Sequence, residues 1–204
     1  MTRARSRGRP RCATCGLPPR LCPCAEFPRV RLGTPVAVVQ HLRERDKPTN
    51  TGRLLARLLE DAVVLPFGMR EPAFDPAPLR ERPFAWQLLF PRGDAPLLEP
   101  GRRAGLVLLD GNWSRCRRAS RRLPWVSGLP CVSLPPGPPP FWSLRRQRRA
   151  EGMSTFDAAL RALEVLEGDR AVLPLRRAFA LVTARHLHLK GRLPTPEVPA
   201  AWGL

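Results

Sequence analysis

Short apolar runs alternate with amphipathic stretches along this chain. Val36 to Val39 is a run of small and branched apolar residues. The same form returns at Ala62 to Phe67, in AWQLLFP ending at Phe90, in GLVLLDG, and around Cys131 to Leu134. Each run is too short for a buried helix and is flanked by Gly, Pro or polar residues, so each predicts a strand. Between them the period changes. GRLLARLLED places Leu54, Leu55, Leu58 and Leu59 on one helical face. WSRCRRASRRL predicts a helix with a strongly basic surface. In STFDAALRALEVLEG, residues Phe156, Ala159, Leu160, Leu163 and Leu166 form an apolar face, and Ser154 and Asp157 have capping-box spacing. A last helix is predicted from Ala171 to Leu189. The polar segment LRERDKPTNTG and the Pro-rich segment from Gly68 to Pro83 read as loops, and PPGPPP excludes regular structure from Pro135 to Pro140.

Strands separated by helices or long crossovers predict an α/β fold: a mainly parallel sheet with helices on both faces. Ligands of such sheets bind beyond the carboxyl ends of the strands. Three loops fall there: Phe90-Pro91-Arg92, Asp110-Gly111-Asn112-Trp113, and the segment after Leu134. The length of 204 residues suits one domain with a small appendage, and no internal repeat is visible.

Charge adds a partner class. The chain carries 35 basic and 17 acidic residues, a net +18, and Lys47 and Lys190 are its only lysines. Such an excess favours polyanions, nucleic acid first. Residues 1–11 are basic without an apolar run, which predicts a disordered arm rather than a secretory signal. No segment has the length of a membrane span, so a cytoplasmic protein with no membrane partner is expected. Cysteines stay reduced there. Cys12, Cys15, Cys22 and Cys24 have the spacing C-x2-C-x6-C-x-C within residues 12–30, which suits a structural zinc ion with a closed shell of four thiolates. A redox pair or unpaired core cysteines are the alternatives. Cys116 and Cys131 read as isolated buried thiols.

The motifs together resemble the DTW-domain family of tRNA-uridine aminocarboxypropyltransferases. The resemblance runs from Cys12 to about Gly168. It rests on the cysteine knuckle, on His41, Glu44, Lys47, Asn50, Thr51 and Gly52, and on Leu88-Leu89-Phe90-Pro91. It rests further on Asp110 to Trp113, on Leu144-Arg145-Arg146, and on Ser154 to Ala158. Two positions depart from the family pattern: Asn112 stands for its threonine, and Asp157 for its glutamate. The resemblance implies a SPOUT-like catalytic domain over residues 31–204 with a C-terminal trefoil knot. It implies transfer of the 3-amino-3-carboxypropyl group from S-adenosylmethionine to N3 of a variable-loop uridine in tRNA, with methylthioadenosine as by-product.

These residues then acquire expected roles. S-adenosylmethionine would lie against Leu89, Phe90, Pro91, Asp110, Asn112, Trp113, Leu134, Ser154 and Thr155. Trp113 offers an apolar wall or a cation–π face to the sulfonium, or else anchors its loop in the core. Asp110 is either the base that removes the N3 proton or the cap of the following helix, with Gly111 to Ser114 as the turn. Asn50, Thr51 and Gly52 open a helix and could bind a carboxylate or an RNA phosphate. His41 reads as a structural hydrogen-bonding residue. Arg115, Arg117, Arg118, Arg121 and Arg122, with Arg145, Arg146, Arg148 and Arg149, would hold tRNA phosphates. Two other classes compete: a non-catalytic zinc-containing RNA-binding protein, and a SPOUT tRNA methyltransferase. The sequence sets no oligomeric state.

Overall fold

The computed structural model describes residues 10–93, 95–101, 104–138, 144 and 152–203. Five strands form one sheet: β1 (Val36–His41), β2 (Ala62–Phe67), β3 (Trp86–Leu89), β4 (Gly105–Asp110) and β5 (Cys131–Val132). Their order is β2-β1-β4-β3-β5, and every pairing is parallel. All five lie where the apolar runs predict them. The run after Cys131 pairs for only two residues as β5, and Ser133 continues it as an isolated bridge to Leu97.

The longer helices also follow the sequence pattern: α2 (Gly52–Leu58), α4 (Trp113–Arg122), α5 (Thr155–Glu167) and α6 (Asp169–Leu189). Leu59 is buried as expected but lies beyond α2, where it bridges Val30 in extended form. Two four-residue helices occupy segments read as loops, α1 (Leu42–Arg45) and α3 (Ala77–Arg80). One turn is too short to show a period. Local hydrogen bonds nucleate both: His41 Nδ1 accepts from Arg43 N, and Asp75 Oδ1 accepts from Ala77 N.

Both faces of the sheet are covered. Val36, Val38, Leu106 and Leu108 pack with α2, α5 and α6, where Phe156 and Phe179 stack at a centroid distance of 4.2 Å. On the other face Ala37, Val39, Leu88 and Val107 pack with Leu79 of α3 and with Cys116 and Ala119 of α4. The strand carboxyl ends therefore open between α4 and α5. Among the described residues no helix is long and apolar enough to cross a membrane.

The cysteine segment is joined to the main core. Cys15, Leu17 and Cys24 belong to the same buried cluster as α2, α5 and α6. His186 Nε2 of α6 donates to the Cys15 carbonyl at 2.8 Å, and Arg185 donates to Leu21 O. The turn at Gly16 lies in the left-handed region with φ +73, and a Cβ there would fall 1.8 Å from Pro48 O. Of the expected basic arm, residues 1–9 lie outside the described residues.

Gly16 therefore yields a test of this docking. Gly16→Ala adds left-handed strain to a backbone clash, and each costs on the order of 1–2 kcal/mol or more. Urea unfolding should show a loss of at least about 2 kcal/mol at an unchanged m-value. A wild-type midpoint would mean that the knuckle is not pressed against Pro48.

Candidate functional site

The site is organised by one carboxylate. Asp110 is the last residue of β4, in register with Gln40 of β1, and only 5% exposed. Gln40 Nε2 donates to Asp110 Oδ2 at 2.8 Å, and Asn50 Nδ2 donates to the same oxygen at 2.6 Å. Thr155 Oγ1, at the start of α5, donates to Oδ1 at 2.7 Å. Asn50 Oδ1 in turn accepts from Arg53 N and Gln40 Nε2. Thr51 Oγ1 accepts from Phe156 N, tying the starts of α2 and α5 together. Gly52 has no side chain where one would meet Asp110 Oδ2 at 3.0 Å, so α2 begins directly against the carboxylate.

Asp110 does not cap the helix that follows it. That role belongs to Asn112, whose Oδ1 accepts from Arg115 N at 2.9 Å. Asparagine caps at least as well as threonine, so this position, a departure from the pattern the resemblance implies, still carries a helix cap. The second departure is equally local. Asp157 Oδ2 accepts from Ser154 N and Oγ, and Ser154 Oγ accepts from Asp157 N at 3.1 Å, a complete capping box for α5.

A cavity of about 450 Å³ opens at the ends of β3, β4 and β5. Leu89, Phe90, Pro91, Trp113, Leu134, Ser154 and Thr155, which the sequence groups as candidate cofactor contacts, all line it. Phe90 and Trp113 meet with ring centroids 5.9 Å apart. Asp110 and Asn112 are not on its wall: Asp110 lies behind Thr155, and Asn112 faces the other way. Asn50, Thr51 and Gly52 are buried around Asp110 rather than open to a ligand. Cys116 also lines the cavity, but burial, reinforced by the charges of Asp110 and Glu44, pushes its thiol up to about 12. It is a packing group, not a nucleophile at neutral pH.

Sequence reasoning missed Arg161. It is the one charged side chain on the described wall of this cavity, where Nη2 donates to Pro135 O at 3.3 Å. Its signal was available: Thr155, Ala158 and Arg161 recur every three residues along α5, and all three line the cavity. The α4 arginines divide. Arg115 and Arg118 line a second cavity beside the first, whereas Arg117 and Arg121 are exposed and do not line it. Arg145, Arg146, Arg148 and Arg149 lie outside the described residues.

The four N-terminal cysteines converge, with all sulfurs within 4.8 Å of one another. Cys12 and Cys24 Sγ are 3.9 Å apart, and Cys15 and Cys22 Sγ are 3.6 Å apart. Tetrahedral zinc with Zn–S near 2.3 Å sets sulfurs about 3.8 Å apart, so the cluster fits a metal such as zinc and is too open for disulfides. Burial opposes ionisation at Cys12, but the N–H groups of Cys15 and Thr14 outweigh it and hold the thiol down at about 7. Cys15 is pushed up by its hydrogen bond with Cys24 and by burial. Four close sulfurs without a cation cannot all ionise together.

Comparison with known proteins identifies the family. The DTW domain profile matches residues 9–187, and the chain belongs to that family. A curated relative, tRNA-uridine aminocarboxypropyltransferase 2 of Macaca fascicularis, is 25% identical over 175 residues. The match covers 80% of this chain and 59% of the relative, so the chain spans well under two thirds of that protein's length. No solved structure matches the chain significantly.

The sulfur geometry sets an expectation for metal content. Protein purified without chelator should contain about one equivalent of zinc by elemental analysis. Cys22→Ser should lower that content below half an equivalent. Because the knuckle shares the main core, the same variant should also unfold at lower urea. Full metal content in Cys22→Ser would remove Cys22 from the ligand set.

Proposed function

We propose that this DTW-domain chain transfers the 3-amino-3-carboxypropyl group of S-adenosylmethionine to N3 of a uridine in tRNA, releasing methylthioadenosine. The observation that carries the reading is the Thr155–Asp110 pair: a hydroxyl on the wall of an apolar cavity, backed by a buried carboxylate 2.7 Å away. The cavity volume of about 450 Å³ falls within the usual range for small-molecule sites. When bound, S-adenosylmethionine supplies a sulfonium whose adjacent methylene is open to attack.

The chain's own residues have separable tasks in this reading. Arg161 anchors the carboxylate of the methionyl arm, which fixes the methylene rather than the methyl toward the nucleophile. Trp113 and Phe90 form the apolar side of the cavity and exclude water from the sulfonium. The segment from Leu134 to Pro138 offers backbone groups to the nucleoside part. Thr155 Oγ1 takes the N3 proton while passing its own proton to Asp110 Oδ1. The N3 electron pair forms the new N–C bond. The C–S pair returns to sulfur, which leaves as a neutral thioether. Asp110 is thus the terminal base, reached through Thr155. The four cysteines hold a structural zinc ion, residues 12–30 form the knuckle, and residues 31–204 form a SPOUT-like catalytic domain threaded into a C-terminal trefoil knot. The crossed order of an all-parallel sheet supports that fold class. A cytoplasmic site of action follows from the substrate.

The by-product separates this reading from its competitors. Incubation with tRNA and S-adenosylmethionine should release methylthioadenosine. S-adenosylhomocysteine would indicate a methyltransferase, and neither product would indicate a binding protein. Asp110→Asn and Thr155→Val should each slow transfer by ~10²- to 10⁴-fold, while Thr155→Ser keeps most of the rate. The Asp110→Asn deficit should shrink in mild alkali, where uridine loses its proton unaided. Full activity of Asp110→Asn at neutral pH would sink the relay.

Arg161 has its own signature. A charge-assisted hydrogen bond is worth about 1.5–3 kcal/mol. Arg161→Gln should therefore weaken S-adenosylmethionine roughly 10- to 100-fold by calorimetry. Methylthioadenosine lacks the carboxylate, so its affinity should not change. Equal losses for both ligands would mean that Arg161 only shapes the cavity.

A further inference from the structure

The loop after β4 separates two cavities. Gly111 and Trp113 line the first, while Asn112 and Ser114 line a second of about 710 Å³. The two cavities therefore share a wall one loop thick. The second has a different character. At 3.6 residues per turn, Arg115, Arg118 and Arg122 recur on one face of α4, and all three line it, with Arg43 opposite them. Arg115 lies 3.9 Å from the buried carboxylate of Glu44, which Lys47 also pairs. Among the described residues no carboxylate pairs with Arg43, Arg118 or Arg122, and none lines the cavity.

The same cavity carries ring surfaces. Phe74 and His41 are half-buried on its wall, and His41 stands edge-on to Phe67 at a centroid distance of 5.0 Å. Burial, with the charges of Arg115 and Arg43, holds the His41 imidazole below its ordinary value, so it presents a neutral ring at pH 7. Its Nδ1 is occupied by Arg43 N. Unpaired guanidinium groups beside neutral rings suit one kind of ligand: a phosphate joined to a planar base.

We propose that this second cavity is a nucleotide subsite, holding the RNA nucleotide next to the target uridine. Its phosphate lies between Arg118 and Arg122, and its base lies against Phe74 and His41. The inference rests on the transferase reading for the identity of the strand. A uridine extruded into the first cavity requires its neighbour to cross the Gly111–Ser114 wall, and the second cavity receives it there. The arginines that serve this are Arg118 and Arg122, not every arginine of α4.

The test is RNA binding over a salt series, using a tRNA transcript and a uridine-containing hexaribonucleotide. Arg118→Gln with Arg122→Gln should weaken both by roughly tenfold or more. It should also lower the log–log salt slope by about one, since each single-strand phosphate contact contributes about 0.7. Phe74→Ala should weaken binding without changing the slope. A charge-matched pair on α6, Arg170→Gln with Arg177→Gln, should leave the slope unchanged, because both residues are exposed on the opposite face of the sheet. Equal slope changes for the two arginine pairs, or none at Arg118 and Arg122, would overturn the subsite. So would uridine monophosphate competing as well as the hexanucleotide, because the occupant would then be a free nucleotide. S-adenosylmethionine affinity should be normal in the Arg118/Arg122 and Phe74 variants. Wild-type protein that binds RNA in this pattern yet releases no methylthioadenosine would refute the transferase reading and leave the subsite standing.

Discussion

Everything near the strand ends depends on a buried carboxylate held by neutral donors. Asp110 joins β1 through Gln40, the start of α2 through Asn50, and the start of α5 through Thr155. Taking a carboxylate out of water costs several kcal/mol. The three hydrogen bonds offset part of that cost. The arrangement is therefore poor as a source of stability. Its value lies in position: three separate segments converge on two oxygen atoms, and a shift of any one of them breaks a hydrogen bond to the carboxylate. Among the described residues no arginine or lysine pairs with Asp110, despite the chain's large positive charge.

The N-terminal cysteines bear on the same carboxylate at a distance. Gly16 packs on Pro48, and Pro48 lies two residues before Asn50. Lys47 O accepts from Asn50 N and from Arg53 Nη2, which closes that turn. His186 and Arg185 of α6 fasten the knuckle from the other side. A metal held in the cysteine cluster would thus stiffen a segment whose far end supplies a donor to Asp110.

Much of this was legible in the sequence. Strand runs are short, branched and bounded by Gly or Pro, so all five strands could be placed, and the Ser154 capping box could be read directly. Motif order named Leu89, Phe90, Pro91, Trp113, Leu134, Ser154 and Thr155, which the fold gathers on one cavity wall. What stayed hidden was of two kinds. Single-turn helices such as α1 and α3 are too short to carry a period. The exposure of polar groups depends on tertiary packing: Asn50 and Thr51 look like a ligand-binding turn in sequence, but folding turns them inward onto Asp110. Asp110 itself read either as a base or as a cap, the latter because it precedes a helix. In the fold the chain runs two residues further before Asn112 takes that role.

That two-residue offset shapes the site. With Asp110 fixed behind the first cavity and Asn112 fixed as the helix cap, Gly111 is the only link between two anchored points. Residues along the loop then line the two cavities alternately, Gly111 and Trp113 the first, Asn112 and Ser114 the second. A partition anchored at both ends by hydrogen bonds does not drift toward either cavity. A loose one would let the neighbouring space collapse whenever one side was empty. Sites that must present two groups in fixed relation are best built on such supported elements. Here a six-residue strand and a ten-residue helix supply the support. Asn112 therefore holds one end of the partition, its side chain accepting the bond from the residue three further on.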